Sequence, residues 1–508
     1  MNITHYRRQF ALYHTALEQT RYEYQAELKT EFTIEPLIDR YGELFSRASI
    51  EKLRLLYDET PEFMETERAG VSVLCGAACL EHLQWSVREL TEEIMRCESS
   101  AQIAWGKEQI PLELATARIA REQDAARRRE LAERLFDACA SCDDLRAARL
   151  EAMRSTLHAL GYDSYKAFRR DLAPVDDARL LDAVSAFLQC TESVYSATLD
   201  RLITRELPHV QLTELHYGDY LYLRHLSRFD SFFPAQDLLQ TYRASLNDLG
   251  IGRVEQGNIQ LEEITRPLKG GRAAACFGIQ PPENVKLLVN LTDGMETYLA
   301  LFAEAGRAQF FAWTSEELVK RHPEFLRRPD QATERSYALL FHNLFLDPVW
   351  LHAHRPNLTE RRAHQAMRDV ALWQLFEVRR DCAKLSCELA LAETSKVRSE
   401  QLAMTYVAAY LDATQFHLSP KMFLTDADEN LDAATRLRAA AFEVGLREHL
   451  RTRYGRRWWA SRKACDELID LWNTASRYTV EELAKLIGFG EISFELLAEM
   501  FFEALKEE

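Results

Sequence analysis

Two runs set the terms on which this chain can fold. "ARIAREQDAARRRELAERLF" (117–136) and "ATRLRAAAFEVGLREHLRTRYG" (434–455) are rich in Ala, Leu, Glu and Arg, the residues that give up least on entering a helix. The 508 residues include only 18 Gly and 14 Pro, too few for long flexible linkers. Long helices joined by short turns are therefore predicted, and the fold class is mostly α. Up to about residue 200 one amphipathic pattern follows another, as in "AGVSVLCGAACLEHLQWSVREL" (69–90), whose small and apolar residues are spaced for close helix packing.

Between about 250 and 292 the texture changes. Glycines and prolines gather there around the β-friendly runs "AAACFGI" (273–279) and "VKLLVNL" (285–291). A small sheet of two or three strands is predicted around 270–292, then a helix over 294–313, then helices to the end. The segment 208–234 is unusually aromatic, and Tyr217, Tyr220, Tyr222, Phe229, Phe232 and Phe233 are read as core, with one or two lining a cleft.

Charge and cysteine usage narrow the function classes. The formal charge of −16 argues against a nucleic-acid surface, and the basic clusters "ARRRE" (126–130) and "YGRRWW" (454–459) read as solvated helix faces, with Trp458 and Trp459 packed. No signal-peptide core and no run of about 18 apolar residues occurs, so a soluble, cytoplasmic protein with no membrane contact is expected. The ten cysteines then read as reduced, mostly buried thiols. Cys139 and Cys142 form a lone CxxC without a second pair to complete a metal site.

Several stretches in order carry a family likeness. "RPLKGGRAAACFGIQPPENVKLLVNLTDGMETYLALFAEAGRAQFF" (266–311), "ERSYALLFHNLFLDPVWL" (334–351) and the long segment from Leu424 to Phe501 resemble the sheet, the metal-binding helix, the next helix and the C-terminal helices of zinc oligopeptidases of the thimet oligopeptidase and oligoendopeptidase F type. "AWGKEQIPLELATARIAREQDAARRREL" (104–131) is similar to their N-terminal helices. The likeness implies a multi-helix body with an internal cleft. Residues 1–200 would be an N-terminal helical region covering that cleft, and residues 201–508 a catalytic-like domain holding the small sheet and the metal-site helix at 294–313.

The resemblance also assigns positions. In an HExxH helix two histidines at i and i+4 face one Zn²⁺, with a glutamate between them as general base. Those positions fall here on Ala303, Arg307 and Glu304, and the third ligand falls on Glu334. Gly306 falls where a glycine lets a neighbouring backbone approach. The substrate-stabilising tyrosines fall on Asp432 and Arg436, and the glycine of their loop on Asn430. Alanine has no lone pair to give and guanidinium has none free, so no zinc is expected at Ala303, Arg307 and Glu334. His322, His342, His352 and His354 lie nearby in sequence but read as surface or satisfied histidines. Two carboxylates facing each other without a metal need another cation. Arg307 is expected to bridge Glu304 and Glu334, pairing bidentately with the latter, and Arg436 to pair with Asp432 four residues earlier on the same helix.

The functional expectation is a peptidase homologue without hydrolytic activity and without a cofactor. Glu304, Asp432 and Arg436 would be relics of its centre, and its role would be to bind a peptide or a protein partner, such as an active paralogous subunit. The alternative is an active zinc-dependent oligoendopeptidase with non-standard ligands, zinc being its cofactor. An unrelated helical scaffold is the third possibility, and it predicts no strands between about 270 and 292.

Overall fold

The computed structural model describes residues 1–172, 175–251, 257–394, 396–428 and 432–506. The elements that position the site are, in chain order, α1 (Ile3–Gln25), α2 (Glu65–Ser86), α3 (Arg88–Ser100), the strands β1 (Gln102–Trp105) and β2 (Glu108–Pro111), α4 (Ala125–Ala140), α5 (Asp143–Ala159), β3 (Ile259–Ile264), β4 (Ala274–Gln280), β5 (Asn284–Asn290), α6 (Met295–Ala312), α7 (Ala332–His342), α8 (Glu360–Glu393), α9 (Glu400–Thr414) and α10 (Asp432–Tyr454). The mostly helical class is as expected. Among the described residues, no helix is long and apolar enough to cross a membrane.

The chain forms two compact units. The first is built from Met1–His82, Ser227–Met367 and Arg438–Leu496, and the second from Leu83–Leu226, Arg368–Leu437 and Leu497–Glu508. Residues 1–82 and 83–200 fall in different units.

In the first unit, the strands lie in the order β3–β5–β4, with β3 parallel and β4 antiparallel to β5. The sheet begins earlier than its predicted start at about 270, because "IQLEEI" (259–264) pairs in register with Val285–Asn290. Alternation sends Ala275, Phe277 and Ile279 to one face, where with Leu288 they meet Tyr22 of α1. α6 packs along β4 and β5, and the face at Gly278 lies so close to it that a Cβ there would meet the Phe311 ring at 2.8 Å.

Two sequence expectations are corrected in the second unit. The opening of the 104–131 stretch is not helical: β1 and β2 form an antiparallel hairpin that pairs Trp105 with Glu108. Gly106 at φ +63° makes the two-residue turn, and Ile103 and Ile110, paired across the strands, are both buried. The cysteines are not all thiols either, because Cys97 at the end of α3 is disulfide-bonded to Cys142 at the start of α5. Neighbourhood in the fold rather than in CxxC spacing chooses the partner, and Cys139 stays a buried thiol. The aromatic segment divides: Tyr220, Phe229 and Phe233 are core, while Tyr217, Tyr222 and Phe232 are only partly buried. Trp458 and Trp459 are buried.

Candidate functional site

α6 covers the expected helix almost to the residue. Met295, Tyr298, Leu301, Phe302, Ala305, Ala308 and Phe310 are buried. What remains accessible is a narrow strip, Glu296, Leu299, Ala300, Ala303, Glu304 and Arg307, at the three- and four-residue spacing of one helix face. The positions assigned by resemblance to a metal helix thus share that strip. Beside that strip lies Gly306, where a Cβ would stand 2.1 Å from the carbonyl oxygen of Tyr337. Only glycine lets α7 come this near, and the approach brings Glu334, in the first turn of α7, within reach of α6.

There the side chains form one ionic group. Arg307 donates from Nε to Oε1 of Glu334 at 2.6 Å and from Nη1 to Oε2 of Glu304 at 2.8 Å, and its Nη2 lies 2.6 Å from the same Glu334 oxygen as an ion pair. The expected bridge between the two glutamates is present. The expected two-oxygen fork on Glu334 is not, because both nitrogens converge on one oxygen. Burial works against the charge on Arg307, but Glu304 and Glu334 outweigh it, and the guanidinium is held well above its ordinary pKa. Arg307 still exposes 30% of its side chain, so the ionic group is partly solvated and not part of a sealed core.

Three further contacts were not legible in the sequence. Glu304 Oε2 also accepts the backbone N–H of Cys276 at 2.9 Å. The buried Cys276 thiol is pushed well above its usual pKa by burial, against the pull of Arg307. Arg327 donates to the carbonyl of Gly278 and lies 3.9 Å from Glu18. Of the histidines weighed as recruits, His322 sits against Glu324, His342 against Asn343 and His354 near Asp248.

In the second unit, Arg436 pairs with Asp432 as expected. Its main partner was missed: Nε and Nη2 clasp the two oxygens of Asp381 on α8 at 2.8 and 2.7 Å, a true fork. Asn430 lies outside the described residues. The same face of α8 carries Glu377, Asp381, Lys384 and Glu388. Lys384 and Arg380 hold Asp426, whose carboxyl is kept down at about 2 by these two cations against the effect of burial. Their spacing of four, three and four residues was the available signal.

The fit to zinc can be judged from the donors. Ala303 supplies none, and the guanidinium of Arg307 occupies the space between the two carboxylates that remain. Among the described residues, no group of three or more His, Cys, Asp or Glu is placed to hold a metal ion. A catalytic zinc site normally has three protein ligands and an open position, so these residues do not fit one.

The fold is that of the helical oligopeptidases. PZ peptidase A, solved with an inhibitor, superposes with a TM-score of 0.60 at 14% identity, over 93% of this chain and 84% of its own. A Bacillus anthracis str. Ames protein assigned as an oligoendopeptidase F superposes with a TM-score of 0.56 at 12% identity, over 92% and 82%. No protein-family model and no curated protein matches the chain; at these identities the likeness establishes the fold.

Proposed function

We propose that this protein is a non-hydrolytic homologue of the oligopeptidases that binds a peptide or a partner protein, such as an active paralogous peptidase subunit, and carries no zinc. The observation that supports this reading is the pairing of Arg307 with both Glu304 and Glu334. A general base must be free to take a proton from an attacking water, whereas Glu304 is engaged by a guanidinium and by a backbone N–H. The counterparts of the substrate-stabilising tyrosines, Asp432 and Arg436, are likewise spent on each other and on Asp381. Zinc analysis of protein purified in zinc-containing medium tests the proposal, together with a quenched-peptide panel run with and without chelator. Substoichiometric zinc and no chelator-sensitive cleavage are expected.

A second reading, an active zinc peptidase, draws on one fact: Glu304 and Glu334 still converge on a common point. It requires Arg307 to swing out and another ligand to enter. Stoichiometric zinc with chelator-sensitive turnover would establish it.

A further inference from the structure

A strand at the edge of a sheet carries a row of unpaired N–H and C=O groups, open to pairing with any extended chain. β4 is such a strand, with β5 on one side only. The register shows which of its groups face outward. Ala273 accepts the N–H of Asn290 at 2.8 Å, and the pairing then runs Ala274 to Val289, Ala275 to Leu288 and Cys276 to Leu287. In an antiparallel pair, hydrogen-bonded and non-hydrogen-bonded positions alternate. Ala275 and Phe277 therefore point their main-chain groups at β5, and Cys276 and Gly278 point theirs away from it.

Two of these outward groups are taken by side chains. The N–H of Cys276 goes to Glu304, and the C=O of Gly278 accepts from Arg327. An acceptor caps the donor, a donor caps the acceptor, and the two caps sit two residues apart, the spacing at which a paired strand would present its own groups. Each cap is itself held: Glu304 by Arg307, and Arg327 by its position near Glu18 and over the Phe311 ring, 5.7 Å from the centroid.

We propose that Glu304 and Arg327 form a latch that closes the outer edge of β4, so that an extended peptide can add to the sheet there only when both side chains are displaced. The latch belongs to this chain because it depends on the ionic group around Arg307, which supplies Glu304 with a reason to stay. It concerns how a peptide is admitted, and it stands or falls separately from the absence of hydrolysis.

The test uses the full-length protein and one probe, a fluorescein-labelled Ac-Lys-Thr-Val-Thr-Val-Lys-NH2 peptide, followed by anisotropy and by hydrogen–deuterium exchange across 270–282. The double variant Glu304→Ala with Arg327→Ala is expected to bind the probe at least tenfold more tightly than wild type, with exchange slowing at Cys276 and Gly278 on binding. Equal affinity in wild type and a folded double variant would overturn the proposal, as would protection confined to another segment. Should the double variant fail to fold, Glu304→Gln with Arg327→Gln loosens both caps, releasing the first from Arg307 and the second from Gly278, while keeping polar side chains of similar size. A gain of threefold or more is expected from it, and no gain in that folded protein overturns the proposal equally. Zinc content, measured on the same samples, reports on hydrolysis independently of these outcomes.

Discussion

Arg307 grips a single oxygen of Glu334 with two nitrogens, Nε and Nη2, and turns its third toward Glu304. The arrangement places one positive charge between two negative ones where water reaches only part of each side chain. Removing the cation leaves two close carboxylates to repel each other or to bind a proton. Arg307→Met is expected to destabilise the protein by about 1–3 kcal/mol, less than a fully buried pair because the guanidinium is partly solvated. Thermal unfolding checks this, and Arg307→Met combined with Glu334→Gln should lose less than the single variant. An unchanged melting temperature in Arg307→Met would show that the bridge contributes nothing.

Gly306 offers a test of packing alone. A methyl group there would overlap the Tyr337 carbonyl, which is backbone and cannot rotate away. Gly306→Ala has to push α6 and α7 apart, at a cost of about 3 kcal/mol or more even though alanine is the better helix former. A variant as stable as wild type would mean that the two helices separate freely.

Restoring the ligands separates binding from chemistry. Ala303→His with Arg307→His puts two imidazoles at i and i+4 beside Glu334 and removes the competing cation. Weak zinc affinity is expected by calorimetry, with little peptide cleavage, because the positions the resemblance assigns to the oxyanion-stabilising tyrosines are Asp432 and Arg436 in this chain. Full turnover would contradict that account.

Glu388 predicts a pH dependence. It is 3% exposed, neither of its oxygens is hydrogen-bonded, and Lys384 is 3.8 Å away. Burial raises its pKa from the ordinary 4.5 to about 8, against the pull of Lys384. A carboxyl whose folded pKa is raised contributes stability that is complete below the unfolded value and fades as pH climbs through the folded one. Glu388→Gln mimics the protonated form. Its stability, read by thermal unfolding, should match wild type near pH 4.5, exceed it increasingly up to about pH 8 and level off above, the gap reaching on the order of 5 kcal/mol. Parallel curves for the two proteins over that range would exclude the assignment.

What the sequence disclosed follows the reach of each signal. Helix formers and the β-branched run before Gly294 act locally, so the helical class, β4, β5 and the bounds of α6 could be read directly. Gly306 and the Arg307 bridge were legible through the family resemblance, which assigned the glycine and set Glu304 and Glu334 face to face; a carboxylate pair so placed then needs a cation. Asp381 was hidden because it lies 55 positions from Arg436 on another helix, and nothing local marks it. Arg327 and Cys276 meet their partners through main-chain atoms, which any residue possesses. The two units left no trace of linkers because the chain passes between them mostly within helices, α2, α8 and α10 among them. The β1–β2 hairpin was lost in helical surroundings because its only marker is one glycine in a two-residue turn.

The bond between Cys97 and Cys142, 45 positions apart, ties the hairpin and α4 into a closed ring of chain. A single protease cut within that ring would leave both fragments tethered, running as one species on a non-reducing gel and parting only when a thiol reagent is added.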